Sequence, residues 1–137
     1  MAITSTLTTS FKKELLTATH NFATNGNAFK LALYTSSATL GATTTAFTTT
    51  GQASGTNYTS GGGTLTKVAP TSSGTTGFTD FADLTFNTAT ITARGCMIYN
   101  DTNSDKSVAT IDFGGDKTST RSEEHTSELQ SPCNLVC

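Results

Sequence analysis

The first apolar pattern in the chain has the spacing of an α-helix. Apolar residues recur near one face from Phe11 to Phe22, while the charged residues of the same stretch face elsewhere. Ser10 has the side chain of a helix N-cap, and the run NGN at residues 25–27 is typical of the chain just beyond a helix. The pattern therefore predicts one N-terminal helix over about residues 10–22.

Downstream, the apolar pattern changes to the two-residue period of β-strands. Phe29, Leu31 and Leu33 alternate with Lys30 and Ala32, which predicts a strand with one buried face. Similar runs, separated by residues typical of turns, predict further strands at residues 64–69, 78–86, 89–99 and 107–113. Together they predict a mostly β fold, a single antiparallel β-sandwich or barrel-like domain with one N-terminal α-helix.

Residues 36–63 form a long segment of small polar residues between two predicted strands. A segment of this length in a compact domain usually carries function or folds into short ordered pieces. We expect such pieces around Leu40, Phe47 and Tyr58, and we expect the segment to become ordered at an interface with a partner. The N-terminal arm, residues 1–9, is expected to order on a partner in the same way.

The C-terminal residues have a different origin from the rest of the chain. Residues 121–131 read RSEEHTSELQS, which resembles the translation of a widely used DNA-sequencing adapter, and residues 132–137 fit the continuation of that adapter. The alternative is a genuine helix capped by Ser122. We interpret residues 121–137 as a non-native, adapter-derived tail that makes few contacts with the core, and residues 1–120 as a single natural domain.

Composition argues against several classes of protein. Residues 1–120 carry seven basic and seven acidic side chains, so the charge points to no strongly charged partner. Cys96 is the one cysteine in this range, which argues against a disulfide framework and a cysteine-ligated zinc site, and we expect it to be a small buried residue. The chain lacks a run of about eighteen apolar residues, and its N-terminus lacks the pattern of a signal peptide.

Few residues are candidates for catalysis. His20 is the one histidine of residues 1–120, and no partner is suggested by spacing, so we expect it at the surface or the end of the helix rather than as a ligand. Asp80 and Asp83 are expected on opposite faces of a strand. The glycines at residues 61–63 lack the lysine and helix of a phosphate-binding loop and are interpreted as a flexible turn. The sequence predicts no enzyme, and no catalytic, cofactor-binding or metal-binding residues.

The segment from Asp101 to Asp105 resembles the opening of a calcium-binding loop, because oxygen ligands alternate along it. The sixth position, where such a loop has glycine, is Lys106, and the twelfth, where it has glutamate, is Asp112. A solvated hairpin turn is therefore the favoured interpretation. Arg94, the one arginine of residues 1–120, is either an anchor at an interface or a strand residue that faces water.

Several segments together resemble a known family. LALYTSSATLG, GTNYTSGGGTLT, TITARGCMIYND and IDFGGDK, in this order after the helix, are similar to segments of a family of small proteins from the structural gene modules of tailed phages. The resemblance covers residues 1–120 and implies association with the virion. It also implies one more apolar strand after the last segment, so that the final strand is missing here, beside residues 108–113. We expect such a truncated domain to be marginally stable.

The resemblance suggests a phage virion structural or accessory protein, best described as a capsid decoration or minor capsid component that acts through protein–protein contacts. It implies capsid or other virion proteins as partners, self-association into a homo-oligomer, a place in the virion after assembly in the host cytoplasm, and no binding to nucleic acid or membrane. The alternatives are a tail or fibre-associated module and a glycan-binding β-sandwich. A glycan site would need exposed aromatic residues, for which the candidates are Tyr34, Tyr58 and Tyr99.

Overall fold

The fold is mostly β, with two antiparallel sheets and one short helix. A computed structural model describes residues 2–86, 89–119 and 130–136. The elements in chain order are β1 (Thr6–Leu7), α1 (Thr9–Leu15), β2 (Phe29–Tyr34), β3 (Gly63–Thr64), β4 (Lys67–Ser73), β5 (Thr76–Thr85), β6 (Ile91–Asn100), β7 (Lys106–Ser119) and β8 (Gln130–Val136). The five-stranded sheet has the order β1-β7-β6-β2-β3 and the three-stranded sheet the order β4-β5-β8. The predicted sandwich-like fold with one N-terminal helix is confirmed, and the described strands do not close into a barrel.

Both faces of the five-stranded sheet are buried. On one face, Phe11 of α1 and Phe81 of β5 pack against Phe29 and its neighbours in the larger core. On the other face, Ala32 and Tyr34 of β2 lie in a second core, which residues from the N-terminus and from the long loop after β2 complete. The prediction that β2 has one buried face is therefore wrong, because N-terminal residues and the loop that directly follows β2 cover its other side.

Residues from the first part of segment 35–62 cover this second face, while Ala53 and Tyr58 of the same segment pack in the larger core. Ala38 and Leu40 are buried there, and isolated bridges tie the segment to the rest of the fold at Leu40, Ala46, Gln52 and Thr56. The prediction of short ordered pieces is confirmed. The expectation that the segment becomes ordered at an interface is wrong, because burial of its apolar side chains against its own sheet already supplies the ordering contacts.

The N-terminal arm also packs on its own chain. Ile3 is buried in the second core, the Thr4 amide donates to the Leu40 carbonyl at 2.9 Å, and β1 pairs with β7. The expected ordering of this arm on a partner is therefore wrong for residues 2–9, and Met1 lies outside the described residues.

The helix α1 begins earlier and ends earlier than predicted. Its N-cap is Thr8, whose hydroxyl accepts a backbone N–H of the first turn, rather than Ser10. The predicted C-terminal part is not helical. Ala18 adopts a left-handed φ of 59°, and the Thr19 amide donates to the Glu14 carbonyl at 3.0 Å, which is a common way for a helix to end.

The C-terminal strand lies at a different edge from the one expected. β7 has β1 on one side and β6 on the other, so the predicted vacancy beside residues 108–113 is wrong. β8 pairs antiparallel with β5 instead. The expectation that the tail makes few contacts is accordingly wrong for residues 130–136, while residues 120–129 and 137 lie outside the described residues.

Candidate functional site

The calcium-like segment forms the turn between β6 and β7. Two of the candidate ligand residues are engaged elsewhere: Asn103 Nδ2 donates to the Thr19 carbonyl at 2.5 Å, and Asp112 Oδ1 accepts from Arg94 Nε at 2.8 Å. Among the side chains that the structure describes, no group of three or more His, Cys, Asp or Glu residues could hold a metal ion. The geometry is that of a hairpin turn with its own internal bonds.

Asp105 lies in this turn in an unfavourable setting for a carboxylate. Burial raises the pKa of Asp105, the charge of Asp101 raises it further, and Lys30 lowers it. Lys30 Nζ lies 3.9 Å from Asp101 Oδ1, so this single ammonium group is shared by two nearby carboxylates. Ser104 and Asp105 adopt left-handed φ values of 56° and 55°, a conformation that asparagine and aspartate accept more readily than most residues.

Arg94 pairs with Asp112 across the five-stranded sheet. The Asp112 carboxylate accepts from Arg94 Nε at 2.8 Å and from the Gly114 amide at 3.0 Å. These two hydrogen bonds, the arginine first, hold the pKa of Asp112 below its ordinary value. The pair lies where the register between β6 and β7 shifts. Arg94 is thus engaged by its own chain, and a role as interface anchor stays a prediction.

His20 is buried rather than on the surface of a helix, so the expectation for this residue is wrong. It lies in the segment after α1, and the centroids of the His20 and Phe11 rings are 5.0 Å apart. Its Nε2 lies 2.9 Å from Glu14 Oε1, and its Nδ1 lies 3.0 Å from Asn100 Nδ2. The other carboxylate oxygen of Glu14, Oε2, lies 3.5 Å from Lys106 Nζ. Each ring nitrogen of His20 therefore has a hydrogen-bond partner, Glu14 or Asn100, although the sequence alone suggested none.

Asn27 connects His20 to the β6–β7 turn. Asn27 Oδ1 accepts from Asn100 Nδ2 at 3.0 Å, from Asn103 Nδ2 at 3.2 Å and from the Asn21 amide at 2.8 Å. We call His20, Asn27, Asn100 and Asn103 the asparagine cluster. Its members belong to three segments. They bind one another and also Glu14, Thr19 and the Asn21 amide, so the cluster fixes these segments to each other.

The three tyrosines attach residues 35–62, which we call the covering loop, to the five-stranded sheet. Tyr34 and Tyr99 are buried and Tyr58 is half-buried, and burial raises the pKa of each hydroxyl. The hydroxyls of Tyr34 and Tyr99 donate to the loop carbonyls of Thr48 and Gly61. Tyr58, which belongs to the loop, accepts from the Leu33 amide of β2 and donates to Gln52. They hold the loop on the sheet and do not form an exposed aromatic platform.

The remaining candidates from the sequence are not brought together. Asp80 and Asp83 lie on β5, and Cys96 is buried in β6, as its expectation required. A Cβ atom at Gly62 would lie 1.8 Å from the Leu31 carbonyl oxygen. The interpretation of residues 61–63 as a flexible turn is wrong, since the turn is pressed against the backbone of β2 and needs glycine for that close approach.

The hairpin of β4 and β5 carries the main exposed apolar surface in the described part of the chain. Residues 68–78, which we call the hairpin arm, are all exposed and include no charged side chain. Val68 and Phe78 are 46% and 36% exposed. Val68 lies opposite Asp80, and Phe78 shares the face of Asp80 because side chains alternate along a strand. The two apolar side chains therefore lie on one face of the arm.

Comparison with protein families, curated proteins and solved structures finds no match to this chain. None of the described helices is long and apolar enough to cross a membrane. The hairpin arm carries two of the three exposed large apolar side chains that the structure describes, the third being Leu16.

Proposed function

We propose that this chain is a structural or accessory protein of a phage virion, a capsid decoration or minor capsid component, and that it acts without catalysis through protein–protein contacts. Two observations support the proposal. The segments LALYTSSATLG and TITARGCMIYND resemble a tailed-phage family, and the hairpin arm, residues 68–78, offers an exposed apolar pair in a stretch without charged side chains. The proposal includes an adapter-derived origin for residues 121–137.

The hairpin arm is the observation that carries the proposed mode of action. An exposed apolar pair in a stretch rich in threonine, serine and glycine, with Asp80 beside it on the same face, suits contact with another protein surface. A nucleic-acid site would instead present lysine and arginine, and the arm has neither. The arm is therefore the part of the chain through which we expect it to associate with other copies and with capsid proteins.

A glycan-binding function is less well supported. Such a site needs aromatic rings exposed for stacking, and the tyrosine hydroxyls are instead engaged by the covering loop. Phe78 is an exposed ring, but among the large apolar residues that the structure describes it is the one exposed aromatic ring, so it forms no cluster for stacking on a sugar.

Sedimentation velocity over a range of concentrations tests the mode of action. We expect the wild-type chain to associate, and the double variant Val68→Ser with Phe78→Ser to associate less, because the exposed apolar pair is removed while the core is untouched. Leu16→Ser is the matched control, since Leu16 is 89% exposed but lies outside the arm. Equal behaviour of the arm variant and the wild type, or an equal loss in the Leu16 control, rejects the arm as the contact surface.

The virion assignment is tested separately through the gene. An independent DNA preparation should contain a reading frame that matches residues 1–120 and continues differently after them, beside capsid or tail genes. A frame that continues through residues 121–137 rejects the adapter origin, and a gene without virion genes beside it rejects the virion assignment.

A further inference from the structure

The sequence Asn25-Gly26 stands in an exposed turn that leads into the asparagine cluster. Asn25 is the one asparagine of the whole chain that is followed by glycine, and its side chain is exposed. Asparagine is among the thermally labile residues, and glycine, which lacks a side chain, leaves the path from its amide nitrogen to the preceding side chain unhindered. We propose that Asn25 is a site of spontaneous deamidation, and that the turn around it controls the rate.

The reaction uses groups of this chain and water. The Gly26 backbone nitrogen, after losing its proton, attacks Cγ of Asn25; the new N–Cγ bond closes a succinimide ring, and the Asn25 side-chain nitrogen leaves as ammonia. Water then adds to one of the two ring carbonyl groups and opens the ring. One product has aspartate at position 25, and the other has isoaspartate, in which the main chain runs through the former side chain.

In the folded turn, a hydrogen bond engages the backbone N–H of Gly26, whose nitrogen is the attacking atom. The Gly26 N–H donates to the Ala23 carbonyl at 2.8 Å, and the Asn27 N–H donates to the Asn21 carbonyl at 2.9 Å. The nitrogen of Gly26 has to leave its bond before it can reach Asn25, so local opening of the turn precedes the reaction. Alanine cannot replace Gly26 here without a shift of the backbone, because its Cβ would lie 2.5 Å from the Asn21 carbonyl oxygen.

The position of this turn gives the modification a structural consequence. Asn27, which binds both Asn100 and Asn103 through Oδ1, is two residues beyond Asn25. Isoaspartate adds a main-chain atom just before this residue and moves it relative to its partners. Aspartate adds a negative charge but keeps the length of the main chain. The isoaspartate product should therefore loosen the asparagine cluster, whereas the aspartate product should leave it nearly intact.

Peptide mapping by mass spectrometry of the full chain tests the proposal. Samples are aged at mildly alkaline pH in buffer and in urea, together with the Asn25→Gln variant, whose longer side chain closes the ring far more slowly. We expect deamidation to be concentrated at Asn25, to be several-fold faster in urea, and to be absent from that position in the variant. Equal rates in buffer and urea reject control by the turn, and preferential deamidation at another asparagine rejects the site.

The structural consequence has its own readout. We expect the aged wild-type chain to melt at a lower temperature than the fresh chain, while fresh Asn25→Asp melts close to the fresh wild type. Aged Asn25→Gln is the control for other damage. If Asn25→Asp melts as low as the aged wild type, the added charge rather than the isoaspartate linkage is responsible, and the proposed effect on Asn27 is rejected.

Discussion

Asn100 Nδ2 donates a hydrogen bond to His20 Nδ1 over 3.0 Å, although the two residues are 80 positions apart in the chain. The orientation of the Asn100 amide follows from its other contacts, because its Oδ1 accepts from the backbone amides of Thr102 and Asn103, each at 3.1 Å. The atom that faces His20 is therefore the nitrogen, which can only donate. This hydrogen bond joins the segment after α1 to the end of β6, and both of its residues are buried.

Replacing Asn100 with alanine should lower the free energy of unfolding by about 2–4 kcal/mol, since it leaves several buried donors and acceptors without partners. Urea denaturation measures the effect. Thr92→Ala, at an exposed position on the same strand, is the control and should change stability by less than about 0.5 kcal/mol. A change in Asn100→Ala as small as that of the control would show that the cluster contributes little.

The same geometry predicts the tautomer of His20. Because Asn100 donates to Nδ1, the ring proton of the neutral imidazole has to be on Nε2, where it is donated to Glu14 Oε1 at 2.9 Å. Long-range nitrogen–proton correlation spectra should show a protonated Nε2 and a bare Nδ1 for the neutral form of this residue. The Asn100→Ala variant should lose this strong preference, and a protonated Nδ1 in the wild type would contradict the arrangement.

Asp105→Asn should stabilise the protein at neutral pH. The pKa of Asp105 is raised in the folded state, mainly by burial and then by Asp101. The folded state thus holds this proton more tightly than the unfolded state, and stability falls as pH rises from the ordinary aspartate value through the raised one. Asparagine removes the charge and tolerates the same left-handed backbone.

Thermal melts at two pH values check this sign. The gain from Asp105→Asn should be present at neutral pH and disappear below the ordinary range of aspartate, where the carboxyl group is protonated in both states. Asp116→Asn, at an exposed position in β7, is the control. A rise in the melting temperature of the wild type on addition of calcium, lost in Asp105→Asn, would instead support a cation site.

Truncation after Ser119 should expose β5 and leave the five-stranded sheet intact. β8 pairs only with β5 among the described strands, whereas β7 keeps β1 and β6 as neighbours. An uncovered strand edge favours aggregation, so the truncated chain should aggregate more readily. Hydrogen exchange should show lost protection in β5 and retained protection in β6 and β7. Unchanged protection in β5 would mean that the residues after Ser119 are dispensable for that strand.

The sequence was most informative where one strand buries apolar side chains at regular spacing. The alternation of Phe29, Leu31 and Leu33 located β2. The strands β6 (Ile91–Asn100) and β7 (Lys106–Ser119) overlap the strands predicted at residues 89–99 and 107–113. The helix was overestimated because an apolar residue such as Phe22 recurs at helical spacing even though the chain has already turned at Ala18. Apolar spacing predicts which side chains are buried, but it does not show whether a helix or a turn buries them.

The asparagine cluster could not be predicted in this way. Asn27 and Asn100 are 73 residues apart, and single asparagines in turns are common for local reasons. Only the pairing of β2 with β6, which places Phe29 opposite Asn100, brings these side chains together. The hairpin arm was likewise hidden, because the sequence of β4 and β5 does not reveal that both faces of the hairpin are exposed beyond residue 67.

The two residues of β1 give the chain a particular order of folding. Thr6 and Leu7 pair with Thr110 and Ala109 of β7, and the hydroxyl of Thr8 donates to the Val108 carbonyl at 3.3 Å over a separation of 100 residues. Contacts of such long range form slowly, because a large loop has to close first. During synthesis on a ribosome, the first residues to emerge must therefore wait for β7 before they reach their places, and the nascent chain cannot close its five-stranded sheet until then.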